Sequence, residues 1–301
     1  MKRVLITGSN GLLGQTLIRK FQETGNAEVY GLAKGANRLK NKAGYTYIDL
    51  DLLEFDKVAA LIQQIAPDVI IHTAAMTHVD LCEKEQEACE LINVKAVGNL
   101  VSCCRKYGIH LIHISTDFIF DGLKGYYTEE DLPCPVNYYG LSKLRSEELI
   151  RESGIEATVL RTILVYGLTE DMKSNIILWV KNNLENKRDI KVVTDQWRMP
   201  THVDDLADAC IYACEKGVKG VFNVSSNQLL SIYEIALLVA EVFDLDKKYI
   251  HPVLSSELNL PAKRPVKTGF DLSRSISQLN LEPHSFESRL QRFKDQLLNK
   301  K

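Results

Sequence analysis

Residues 2–14 read KRVLITGSNGLLG, an apolar run, a polar turn carrying Gly8, Gly11 and Gly14, and the start of the amphipathic stretch LLGQTLIRKFQET. Spaced glycines between a strand and a helix let the backbone turn tightly and approach a pyrophosphate, whose charge then lies at the positive end of the helix. Working outward, the same rhythm repeats. AEVYGLA, YTYIDL, DVIIHTAA, IHLIHIST and ATVLRT are short and nearly all apolar, and patterns of helical period such as FDKVAALIQQIA and ELINVKAVGNLVSCCRKYG separate them. Strands that are apolar on both faces and alternate with helices form a parallel sheet covered on two sides. The expected fold class is α/β, a doubly wound parallel sheet of the Rossmann type.

After VYG at 165–167 the alternation loosens. An amphipathic segment at 175–184 and a short strand at 190–193 lead to a helix at 203–216 and one more buried strand, VFNVS. From Leu229 onward two helical patterns, SIYEIALLVAEVFD and SFESRLQRFKDQLL, are separated by Pro-bearing loops, and no further strand is expected there. The chain therefore divides into a dinucleotide-binding domain, residues 1–166 with 200–228, and a smaller, mostly helical substrate-binding lobe, residues 167–199 with 229–301. That lobe would close over ligands at the carboxyl ends of the sheet.

Composition narrows the function classes. A chain of 301 residues with 45% hydrophobic content can bury a sizeable core. Its net charge of −2 argues against a nucleic-acid or anionic-membrane partner. Seven cysteines, an odd number with no CxxC, read as reduced thiols of a cytosolic protein. Lys2 and Arg3 precede only three apolar residues, and no apolar run approaches ~18 residues, so neither a signal peptide nor a membrane span is expected and the location is cytoplasmic. The seven histidines show no ligand spacing, and no metal is expected. Oligomeric state stays open, a homodimer being compatible with the sequence.

The turn itself supplies Gly8, Asn10, Gly11, Leu12, Leu13 and Gly14 as expected cofactor contacts. A dinucleotide with a free 2′-hydroxyl calls for an acidic residue about 20 positions on, at the end of the second strand. Ala33 and Lys34 stand there instead, with Arg38 nearby. A cation favours a 2′-phosphate, so NADPH is the expected cofactor and NADH the alternative. Asp51 and Leu52, just past the third strand, are expected at the adenine edge, where Asp49 fits almost as well.

Three Tyr-x-x-x-Lys tetrads occur, Tyr30/Lys34, Tyr139/Lys143 and Tyr212/Lys216, where a chain with 12 tyrosines would show about one by chance. The first lies in a strand-like run, where residues four apart do not meet, and the third in an Ala- and Cys-rich helix with no Ser or Thr strand end before it. Tyr139 and Lys143, in NYYGLSK, share a helical face 23 residues after Thr116, which closes IHLIHIST where ligands bind. A phenol, an ammonium and a hydroxyl together can protonate a carbonyl oxygen while hydride arrives. An ammonium about 5 Å from the phenol would lower its pKa by some two units at an effective dielectric of about 20.

With these residues in place the chain resembles extended short-chain dehydrogenases/reductases, and among them the dTDP-4-dehydrorhamnose reductase family. The matching stretches are GSNGLLGQ, HTAAMTHVDLCE, LINVKAVGNL, STDFIFDG, YTEEDLPCPVNYYGLSKLRSE, LRTILVYG, DQWRMPT and RPVKTGFDLS. The resemblance implies NADPH-dependent reduction of a 4-keto sugar carried on thymidine diphosphate. It implies Thr116, Tyr139 and Lys143 as the catalytic set, with Lys143 also holding the nicotinamide ribose. Ala74 and Ala75 would line the cofactor, Asn93 would buttress the site, and Thr77, Val79, Thr116, Asp117 and Phe118 would face the sugar. Arg198 and Arg264 are candidates to clamp a diphosphate, since an Arg fork matches phosphate geometry.

The chain departs from the family where substrate should lie. Phe118 stands where the family commonly has Tyr, and Leu164 where it commonly has Trp. The stretch DQWRMPTHVDDLADAC is similar instead to the regulatory beta subunits of methionine adenosyltransferase, which bind NADP and contact a partner enzyme. Three functions are therefore expected in competition: a 4-keto sugar-nucleotide reductase, a related epimerase or other keto-sugar reductase, and a non-catalytic NADP-binding subunit.

Overall fold

The apolar runs pair in parallel, and each buries its side chains completely at its centre. Val4, Leu5, Ile6, Ile70, Ile71, Leu111 and Ile112 are fully enclosed, as strands covered on both faces must be. A computed structural model describes residues 1–171 and 175–299; residues 172–174, 300 and 301 of the expected lobe lie outside it. Seven parallel strands form the main sheet in the spatial order Gly220–Val224, Ala157–Thr162, His110–Thr116, Val69–His72, Lys2–Thr7, Ala27–Ala33, Thr46–Asp49. Chain order reverses between Lys2–Thr7 and Val69–His72, the topological switch point at which open α/β sheets bind ligands. One core lies under helices Leu12–Thr24 and Val203–Lys216. The core on the opposite face lies under Phe55–Ile65 and Ala96–Tyr107.

A third core holds the smaller lobe together. It joins helices Ile176–Glu185, Ile232–Val242 and Phe286–Asn299 around Tyr166, Phe286 and Phe293. Contrary to the expectation of no strand after Leu229, three occur there: Leu230–Ser231, Ile250–Val253 and Lys267–Phe270. The first and third join Trp197–Arg198 and Gly125–Tyr127 in a four-stranded sheet, and the second pairs with Ile190–Val193. Two-residue strands are too short to show a period, and Pro252 and Gly269 argue locally against a ladder. Pro is tolerated because that sheet has only two strands, both of them edges.

Helix Tyr138–Ser153 positions the tetrad. Asn137 caps it by accepting from the Gly140 backbone N–H at 2.9 Å, and Gly154 ends it in the left-handed conformation. Asn137 Nδ2 also donates to the Lys263 carbonyl at 2.8 Å, which ties the helix start to the lobe. Further along, Glu147 meets Arg161 of the neighbouring strand in a buried ion pair at 2.8 Å, with only 8% and 6% of the two side chains exposed. Arg161 also donates to the Glu129 carbonyl.

Breaking one half of that pair leaves an uncompensated buried charge, which typically costs about 3–5 kcal/mol. Glu147→Ala is therefore expected to lower unfolding free energy by about that much in urea titration, and Glu147→Leu with Arg161→Met to restore most of it. A single-variant loss below ~1 kcal/mol contradicts the assignment.

Candidate active site

The carboxyl ends of the main sheet open onto a cavity of about 660 Å³. Its wall brings together residues from distant segments. Gly11, Leu12 and Leu13 come from the first turn, and Ala74, Ala75, Thr77 and Val79 from the segment after Val69–His72. Thr116, Asp117 and Phe118 come from the end of His110–Thr116, Tyr139 and Lys143 from the capped helix, and Arg198 and Arg264 from the lobe.

Other expected site residues support this wall from behind or stand away from it. Gly8 has φ +73°, and a Cβ there would lie 2.7 Å from the Ala74 backbone nitrogen, so only glycine lets the first turn seat against the Ala74 segment. Gly14 packs in the same way onto the Gly8 carbonyl. Asn10 donates to the Ala36 carbonyl and the Tyr47 hydroxyl and accepts from the Arg38 backbone N–H, tying the turn to the loop after the second strand. Lys34 and Asp51 form an ion pair at 2.8 Å, the lysine 79% exposed; each pulls the other toward its charged form. Leu52 packs against the far core.

Asn93 sits in a single π-helical turn, Leu91–Lys95, a distortion frequent near functional sites. It accepts from the Met76 backbone N–H at 2.8 Å and donates to the Met76 carbonyl and to Ser142 Oγ, each at 3.0 Å. Its position is therefore behind the Ala74–Val79 segment, fixing that segment's shape without reaching the cavity.

The residues present fit a dinucleotide. Helix Leu12–Thr24 starts at Gly11 with no side-chain cap and no acidic residue in its first turn. Its first N–H donors are thus left for an anion at the cavity.

Around the phenol, the electrostatics differ from the expectation. Tyr139 is pushed well above the usual phenol range by burial and by the nearby Asp117 carboxylate, against the hydrogen bond with Thr116. The Lys143 ammonium donates to His113 Nε2 at 3.1 Å. Burial brings that lysine down to about 8, opposed by Glu147 and Cys89. Tyr139 therefore keeps its proton at neutral pH, the state a proton donor needs. Thr116 Oγ1 accepts from the Phe118 N–H and donates to Asp117 Oδ1, both at 3.2 Å. Phe118 meets the Tyr139 ring edge-on, with centroids 5.7 Å apart.

Both arginines line the cavity and are engaged within the protein. Arg198 is buried; it donates to the Trp197 and Pro265 carbonyls at 2.7 and 2.8 Å and lies 3.6 Å from Asp117. Its fork ties the loop before Lys267–Phe270 to the end of strand His110–Thr116. Arg264 makes a two-point pair with Asp80 at 2.7 and 2.6 Å.

Sequence reasoning missed Gly140, His72 and His113 near Tyr139 and Lys143, and named Leu164 without foreseeing its backbone. Gly140 packs so closely on the Phe118 carbonyl that a Cβ there would collide with it. Leu164 adopts φ +42° at the cavity wall, strained for a residue with a side chain. His72 and His113 are buried and stacked, with centroids 5.4 Å apart. Their signal was present: a polar residue inside an otherwise apolar buried strand requires a partner.

Comparison with known proteins agrees with this geometry. The family described as RmlD substrate binding domain matches residues 1–299. Methionine adenosyltransferase 2 subunit beta of Rattus norvegicus is 35% identical over 282 residues, 91% of this chain and 81% of that one. The probable low-salt glycan biosynthesis reductase Agl14 of Haloferax volcanii is 30% identical, covering 95% of both chains. The solved structure of dTDP-4-dehydrorhamnose reductase from Bacillus anthracis in complex with NADP superposes with a TM-score of 0.84 at 29% identity, over 98% of this chain and 99% of that one. With a Gly-rich turn at the sheet's switch point and a Thr, Tyr and Lys around one cavity, the chain belongs to the RmlD substrate binding domain family of extended short-chain dehydrogenases/reductases.

Proposed function

We propose that the protein reduces a 4-keto sugar nucleotide with NADPH, dTDP-4-dehydrorhamnose being the expected substrate. The observation that carries this reading is the convergence of Thr116, Tyr139 and Lys143 on the wall that also holds the uncapped helix start. The protonated Tyr139 hydroxyl would give its proton to the carbonyl oxygen, and Thr116 would hold that oxygen in line. NADPH supplies the hydride when bound. Lys143, still largely charged below pH 8, would hold the nicotinamide ribose. Gly11, Leu12, Leu13, Ala74 and Ala75 would line the cofactor, with Thr77, Val79 and Phe118 against the sugar.

For the 2′-phosphate, Lys34 has a weak competitor. An exposed ion pair such as Lys34–Asp51 is weak, screened by water and salt, so a dianionic phosphate can take the ammonium from Asp51.

A second reading, a non-catalytic NADP-binding regulatory subunit that acts with a larger enzyme, is supported by the 35% identity to the methionine adenosyltransferase beta subunit. Incubating the protein and NADPH with a panel of 4-keto sugar nucleotides separates the two. Stoichiometric loss of NADPH absorbance with one sugar supports the reductase. Retained cofactor without net consumption points to an epimerase, and binding of NADPH without any turnover points to the subunit.

Tyr139→Phe is expected to lower turnover by about two to four powers of ten with NADPH affinity near wild type, and unchanged turnover removes Tyr139 as the donor. Lys34→Asp is expected to move the NADPH/NADH preference toward NADH by about tenfold, equivalent to ~1.4 kcal/mol; an unaltered ratio takes Lys34 out of the cofactor site. Because the ammonium is the working form of Lys143, kcat/KM is expected to fall as pH rises through about 8. A profile flat to pH 9.5 contradicts that role.

A further inference from the structure

We propose that His113 is a positioning residue: its neutral Nε2 accepts a hydrogen bond from Lys143 and so fixes where that ammonium stands at the cavity wall. The proposal rests on the reductase reading and adds to it a residue behind the tetrad.

The geometry is set by strand register. Thr7 pairs with His72 across the first two central strands, and His72 pairs with His113 across the next two. The two imidazoles therefore stack, 17° from parallel. Thr7 Oγ1 lies 2.7 Å from His72 Nδ1 at one end of this row, and Lys143 Nζ lies 3.1 Å from His113 Nε2 at the other. Both rings are fully enclosed, and burial next to the Lys143 charge keeps them neutral, His72 at about 3 and His113 well below the usual range.

A neutral imidazole facing an ammonium must present its lone pair. Nε2 is thus the acceptor, and the ring proton sits on Nδ1, a buried atom with no hydrogen-bond partner among the described residues. An unpaired buried donor is a cost the fold would avoid if the ring served packing alone. The opposite tautomer would aim an N–H at the ammonium. Ser146 Oγ is 3.2 Å from the same Nε2, but its own hydrogen goes to the Lys143 carbonyl at 2.7 Å. Of the three donors on an ammonium, His113 takes one and leaves two for a ligand.

The charged groups around Lys143 come from every side of it. Glu147 on its own helix and Cys89 on the helix Gln86–Glu90 favour its charge, while His113 and His72 come from the sheet. Glu147 is shared with Arg161. Loss of the His113 acceptor removes a partner of the charged form and so lowers the pH at which Lys143 gives up its proton.

The test compares His113→Gln, whose amide oxygen can stand where Nε2 stands, with His113→Asn, which stops short of the lysine. NADPH affinity is read by cofactor fluorescence, and the pH profile of kcat/KM is read with the sugar nucleotide that wild type reduces. His113→Gln is expected within about threefold of wild type, and His113→Asn to weaken NADPH about tenfold. His113→Asn is also expected to move the alkaline limb down by about one unit. Equal behaviour of the two variants, with the limb unmoved, overturns the proposal.

A measurement on wild type needs no variant to fold. Histidine labelled with nitrogen-15 should show His113 with its proton on Nδ1 at pH 7 and an Nε2 signal that follows the titration of Lys143; a proton on Nε2 at pH 7 overturns the proposal. If wild type reduces no sugar nucleotide, the reductase reading falls, whereas the tautomer and the NADPH affinities still decide the role of His113.

Discussion

A buried polar stripe along one helix holds this site together. On helix Tyr138–Ser153, Tyr139 and Gly140 face the Phe118 loop, Lys143 and Ser146 face His113, and Glu147 faces Arg161. These positions recur every three or four residues, so they lie on one face. In most helices that face is apolar and packs without regard to direction. Here each contact is directional, and the sheet must present the matching partner at the matching height. Stability and chemistry are therefore coupled, because the interactions that seat the helix also set the environment of its Tyr and Lys.

The lobe is fastened to the same place. Asp117 follows Thr116 and accepts from Thr268 Oγ1 at 2.5 Å, while Arg198 lies behind it and grips the Pro265 carbonyl. Burial raises the Asp117 carboxyl, and Arg198, Thr268 and Thr116 pull it back. Arg264, in the loop thus held, reaches the cavity with its fork on Asp80. The lobe and the end of strand His110–Thr116 are joined through Asp117 and Arg198, both buried, next to Thr116.

The main sheet was legible because a strand buried on both faces writes itself as a continuous apolar run, as in VLI and VII. Tyr139 and Lys143 were legible because i and i+4 meet on a helix whatever the tertiary context. In the lobe Ile190–Val193 was legible, but Trp197–Arg198 and Leu230–Ser231 were not, since each is two residues long and exists only because distant partners align with it. Nor could spacing tell that Lys143 turns toward the sheet. That direction depends on His113, 30 residues away in sequence and brought beside it by the fold. The Tyr139 phenol is raised rather than acidified because burial, which disfavours the phenolate, outweighs the other influences on it.

No helix among the described residues is long and apolar enough to cross a membrane, and six of the seven cysteines are buried, Cys134 being the exposed one. The central claim is that the cavity at the switch point seats a dinucleotide with its reactive end between Thr116, Tyr139 and Lys143. A crystal structure of the protein with NADPH and thymidine diphosphate tests this most directly. The account predicts the pyrophosphate at the start of helix Leu12–Thr24, the nicotinamide beside the Tyr139 hydroxyl, and the ribose on Lys143. A nicotinamide on the far side of the cavity from Tyr139, or a dinucleotide bound elsewhere, would contradict it.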